Sequence, residues 1–118
     1  MIIHEIVTGQ GSTTWRLGIE LSPSGDRLVE ETFDELRASP LSRPLPDNAW
    51  VNLRVTVDIG ISNARAIVSL DGKDVAIHKV VVLGARPVTL YAGQRAVTAE
   101  AGGSIVDVDN VVLRTDER

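Results

Sequence analysis

Residues 50–59 read WVNLRVTVDI. Val51, Leu53, Val55, Val57 and Ile59 alternate with Asn52, Arg54, Thr56 and Asp58. In an extended chain, successive side chains point to opposite faces. This stretch therefore gathers its aliphatic groups on one face and its polar groups on the other. A helix would spread the same valines around its circumference, and β-branched residues resist that backbone. One face belongs in a core and the other in water, the pattern of an antiparallel sheet.

The same period of two runs outward in both directions. Downstream, ARAIVSL repeats it with Ala64, Ala66, Val68 and Leu70. It ends in Asp71-Gly72, a pair that tolerates positive φ and marks a tight hairpin. The partner is DVAIHKVVV, which the alternation reads with Val75 and Ile77 inward and His78 on the polar side. Upstream, TWRLGIEL puts Trp15, Leu17, Ile19 and Leu21 on one face. Shorter strands are expected at IIHEIV (2–7), RLVEETF (27–33), VTLYAG (88–93), AVTA (96–99) and SIVDVDNVVLR (104–114). Within EETFDELRAS the spacing supports one helical turn at most. ASPLSRPLP, held extended by Pro40, Pro44 and Pro46, reads as a crossover between two sheets. Eight or nine short strands with a turn about every ten residues make an all-β fold. The expectation is one domain over residues 1–118, an antiparallel two-sheet β-sandwich.

Composition narrows the function. Hydrophobic residues are 43% of the 118 and aromatics 3%, so the core has to be aliphatic. The net charge is −4 and the arginines form no run, which excludes a phosphate-binding surface and with it a nucleic-acid partner. There is no cysteine, hence no disulfide framework and no thiolate metal site. No stretch approaches the ~20 apolar residues of a membrane span, and the N-terminus lacks the pattern of a signal peptide. A soluble domain is expected. It would be cytoplasmic or cut from a secreted or surface protein, and no residue pattern chooses the compartment.

Order and spacing together carry a resemblance. Trp50 stands just before the long alternating strand, Asp71-Gly72 ends the next, Gly93 closes a later one, and Asp109-Asn110-Val111 lies in the last. This series resembles the C-terminal half of concanavalin A-like lectin/glucanase domains, especially the laminin-G-like jelly rolls of bacterial surface proteins. It runs from about Trp15 to Leu113 and is carried chiefly by the part from Trp50 onward. The resemblance implies a jelly-roll sandwich with carbohydrate as the ligand class. Complete domains of this kind are longer, so the chain looks like a shortened version. A missing strand would leave a sheet edge with unpaired N–H and C=O groups, open to a second copy of the chain.

Candidate site residues follow. Asp107 and Asp109 share one face of the last strand and Asn110 takes the other, a set of hard oxygen donors suited to Ca²⁺. In related jelly rolls the aspartate of the last strand helps hold a structural calcium, and the resemblance gives that role to Asp109. The alternative is that Asp109 and Asn110 cap a bulged strand, with Val111 and Leu113 taking over the inward phase from Val106 and Val108. Trp50 and Tyr91 are the aromatic candidates for a sugar ligand. In the family a Trp at the first place packs under a loop at the sheet rim, whereas Trp15, in phase with Leu17, reads as core. The one acid-rich stretch, VEETFDEL, does not match the spaced acids of the glucanases and reads as a solvated strand and loop. His4 and His78 have no second ligand at metal spacing, and His78, on the polar phase of its strand, reads as a surface residue. There is no Gly-x-Ser-x-Gly elbow. The expectation is a binding module and not an enzyme. A self-assembling structural domain is the alternative, and a glycoside hydrolase remnant comes third.

Overall fold

The computed structural model describes residues 2–9, 14–32, 34–58, 64–81, 88–96 and 111–112. Eight strands occur among them: β1 (Ile2–Thr8), β2 (Trp15–Glu20), β3 (Arg27–Glu31), β4 (Leu36–Pro40), β5 (Leu53–Asp58), β6 (Arg65–Leu70), β7 (Lys73–Lys79) and β8 (Val88–Ala96). They form two antiparallel sheets, one of five strands in the order β4-β3-β2-β1-β8 and one of three in the order β5-β6-β7. No helix occurs among the described residues, and hence none long and apolar enough to cross a membrane. The segment read as a helical turn or loop is partly strand: Leu36–Pro40 pairs with β3 from Leu36↔Glu31 to Pro40↔Arg27.

The strand that decided the sequence reading behaves as expected. Leu53, Val55 and Val57 turn toward the core and pack against it, while Arg54 and Thr56 face solvent. β5 is the last described strand of its sheet, so its inward side chains are only partly buried. Asp71 (φ 50°) and Gly72 (φ 81°) make the two-residue turn between β6 and β7, both in the left-handed region that such a turn requires. The crossover overlaps the expected stretch 38–46 only in part, since Ala38, Ser39 and Pro40 belong to β4. Residues 41–52 carry the chain from the edge of the larger sheet to β5. Asp26 fastens that passage, its carbonyl accepting from Leu41 N at 2.9 Å and its Oδ2 from Leu45 N at 2.9 Å.

Pairing fixes two rows across the inner face of the larger sheet. One runs Ile3–Ile19–Leu28–Ser39 and the other Ile6–Leu17–Glu30–Arg37. Both rows are apolar on β1 and β2 and turn polar toward β4. The smaller sheet faces them with Ala66, Val68, Leu70, Val75, Ala76 and Val80, and the two sets form one core with Trp15. Each large aliphatic side chain so enclosed contributes ~1.5–3 kcal/mol, which makes this shared core the main stabilising feature.

Two irregularities re-aim side chains. In β7, Ala76 pairs with Val68 but Asp74 with Ser69, so Val75 is an extra residue. Past this bulge the inward positions are Ala76, His78 and Val80. Ile77, expected inward, is 60% exposed, and His78, expected on the surface, is 3% exposed. In β1 the pairing shifts between Ile3 and Ile6, with His4 at φ 50°. Opposite that bulge Gly18 leaves room for a close strand approach: a Cβ there would lie 3.1 Å from Ile2 Cγ2.

Candidate functional site

The polar ends of the two inner rows meet β7 at a cluster centred on Glu30. Its carboxyl group is 1% exposed. The Trp15 indole N–H donates to Oε2 at 2.7 Å, and the Val81 backbone N–H donates to the same oxygen at 2.6 Å. On the other oxygen, His78 Nε2 lies 2.9 Å from Oε1 and Arg37 Nη1 3.6 Å from it. The opposite ring nitrogen of His78, Nδ1, is 2.7 Å from Ser39 Oγ. Among the described residues no buried side-chain nitrogen or oxygen lacks a partner.

The sequence builds this cluster from several strands. Trp15 opens β2, Glu30 lies in β3, Arg37 and Ser39 lie two apart on the inner side of β4, and His78 reaches across from β7. Val81 follows β7, so its bond to Glu30 also fixes where that strand leaves the sheet. The stretch VEETFDEL is therefore not uniformly solvated as expected: Glu31, Asp34 and Glu35 are exposed, but Glu30 is enclosed. Its oxygens are taken up by donors.

Partner chemistry assigns the protons. Trp15 Nε1, Val81 N and the Arg37 guanidinium can only donate. A carboxylate accepting from all of them takes the same from His78, so Nε2 carries hydrogen. In the neutral tautomer with hydrogen on Nε2, Nδ1 presents a lone pair that can accept from the Ser39 hydroxyl. Hydroxyl, imidazole and carboxylate thus stand in one hydrogen-bonded line. His4 is a separate case: partial burial pushes its imidazole below the ordinary histidine pKa, because desolvation disfavours the charged ring.

The aromatic candidates are not brought together. Trp50 lies in the crossover and is 72% exposed, not packed under a rim loop as the resemblance implied. Polar bonds fasten the chain beside it. Asn52 N donates to Asp71 Oδ1 at 2.9 Å, Asp71 N to Asn52 O at 2.8 Å, and Arg43 Nη2 to Leu70 O at 3.3 Å. These bonds hold the end of the crossover against the β6–β7 turn. Tyr91 belongs to β8 in the other sheet, where its backbone pairs with Glu5, and its side chain is outside the described part. Asp107, Asp109 and Asn110 lie outside the described residues. Val111, expected inward, is 53% exposed and not in a strand. Among the described residues no group of three or more His, Asp or Glu is arranged to hold a metal ion.

Sequence reasoning missed Glu30 and His78 for different reasons. Glu30 stands two residues after Leu28, so plain alternation from an inward Leu28 also points it inward. A buried Trp15 needs an acceptor for its indole N–H, a second available signal. His78 carried no such signal, since its phase depends on the bulge at Val75. Comparison of the chain with protein-family models, with curated proteins and with solved structures finds no match.

Proposed function

We propose that this domain is a binding module of jelly-roll, concanavalin A-like type, with carbohydrate as its ligand class and the Trp50 rim as its contact surface. The observation that carries the reading is the 72% exposure of Trp50 on a crossover fastened to the β6–β7 turn. A large indole left in water costs solvation unless a partner covers it, and its flat face suits the C–H side of a sugar ring. Exposed Asp47, Asn48 and Asp71 are close in sequence or bonded to the same rim and supply hydroxyl-binding groups. On a glycan array the intact domain is expected to retain a subset of sugars. Trp50→Ala should weaken that binding at least tenfold, about 1.4 kcal/mol, and leave thermal stability within about 0.5 kcal/mol because the side chain is on the surface. An empty array, or equal binding by the variant, would overturn the reading.

A second reading, self-assembly, is favoured by β5. On its outer side this alternating strand pairs with no strand among the described residues, and no proline interrupts it. Such an edge can accept a strand from another copy. Size-exclusion chromatography with light scattering should then give a dimer or larger species well above micromolar concentration. A monomer throughout that range would sink this alternative.

A further inference from the structure

We propose that Ser39 is a base-activated hydroxyl, a nucleophile of the serine-hydrolase kind that attacks small activated acyl or phosphonyl groups reaching the β4 edge. Nucleophilic serine catalysis requires a hydroxyl within hydrogen-bond reach of a base, and a third group that orients the base and stabilises its cation. Ser39 Oγ to His78 Nδ1 is 2.7 Å, and His78 Nε2 to Glu30 Oε1 is 2.9 Å. Both distances lie within that reach.

Burial grades in the useful direction. Glu30 and His78 are shut away from water, whereas Ser39 is partly exposed on β4, the last described strand of its sheet. A dry imidazole–carboxylate pair is held in one tautomer, and the hydroxyl at its end stays within reach of a small reagent. Arg37, two residues from Ser39 on the same side of β4, keeps its guanidinium 3.6 Å from Glu30 and one-third exposed. Its Nε lies 3.8 Å from Glu35 Oε1, so its charge is shared between two carboxylates. The ring is turned relative to the familiar triad, in which Nε2 faces the serine. The chemistry requires only that one ring nitrogen hold its proton against the carboxylate while the other accepts from the hydroxyl.

The step balances without a further reagent. As Ser39 Oγ bonds to the carbonyl carbon of an ester, its proton moves to His78 Nδ1. The imidazolium then gives that proton to the departing alkoxide as the C–O bond breaks. Water, with His78 again as base, releases the acid and restores Ser39. With a fluorophosphonate the O–P bond forms, the P–F bond breaks and hydrogen fluoride leaves, so the enzyme form stops there. The substrate class is an ester of a small carboxylic acid, because Ser39 is only partly exposed. This site is separate from the Trp50 rim and departs from the expectation of a module without chemistry.

The experiment is fluorophosphonate labelling of the intact domain, read residue by residue through peptide mass spectrometry. Ser24 and Ser42, exposed and outside the cluster, serve as internal references. General-base assistance is typically worth ~10²–10⁴-fold, so Ser39 should label at least ~100-fold faster than either. In the urea-unfolded chain that advantage should vanish. Glu30→Gln adds a readout that a structural role would not move. Its amide oxygen can serve Trp15 and Val81, but its NH₂ turns His78 to the tautomer with hydrogen on Nδ1, and labelling of Ser39 should fall at least ~100-fold. Equal rates at Ser39 and the reference serines in the native domain would overturn the proposal, as would undiminished labelling in folded Glu30→Gln.

Discussion

Glu30→Ala is expected to cost the domain about 3–5 kcal/mol, because three donors lose their common acceptor inside the fold. The loss does not come from the carboxylate itself, whose burial is expensive, but from what it leaves behind. The Trp15 indole N–H, the Val81 backbone N–H and the His78 ring N–H all bond to it. Each donor stranded without water or acceptor costs ~1–3 kcal/mol, and the three are too close together to add independently. Single domains of this size have only ~5–15 kcal/mol in hand, so the variant should sit near the edge of folding. Urea unfolding followed by circular dichroism measures the shift. Glu30→Gln separates the hydrogen bonds from the charge, since its amide satisfies the same groups after a tautomer change at His78. It is expected to cost about 1 kcal/mol. An alanine variant within 1 kcal/mol of the parent would mean that solvent reaches the cluster and that Glu30 does not join the sheets.

That cluster marks the boundary of what the sequence could reveal. Period two in WVNLRVTVDI and ARAIVSL found the sheet, and Asp71-Gly72 found the hairpin, because each is a local rule with a local cause. Trp15 was legible as core for the same reason. Past Val75, which is buried as read, the local rule gives the wrong face. A bulge at Val75 adds one residue to β7 and exchanges the roles of Ile77 and His78. Neither glycine nor proline marks it, and the cause is tertiary: the partner strand and the waiting carboxylate of Glu30 favour a histidine inward. β4 was missed because a short strand with exposed Leu36 and Ala38 has no apolar alternation to read. Its place as the last described strand of the sheet leaves Ser39 partly exposed, so the features that hid the strand are those that make the site accessible.

Ile19→Ala and Ile77→Ala test the inverted phase directly, because in sequence both isoleucines read as inward. Ile19 is 0% exposed and sits in the row Ile3–Ile19–Leu28, with neighbours on both adjoining strands and the smaller sheet above. Trimming it removes several methyl and methylene groups and leaves a void that flanking strands, fixed by their pairing, can close only in part. The expected cost is ~2–5 kcal/mol. Ile77 is 60% exposed and pairs with Ile67 on the outer face of the smaller sheet. Its truncation leaves no cavity, so the expected change is within about 0.5 kcal/mol. Urea midpoints of the two variants, compared at equal slope, should differ severalfold in their shifts. Equal shifts would mean that β7 keeps strict alternation through Val75. His78 would then turn to solvent, and the line from Ser39 to Glu30 would be broken at its middle member.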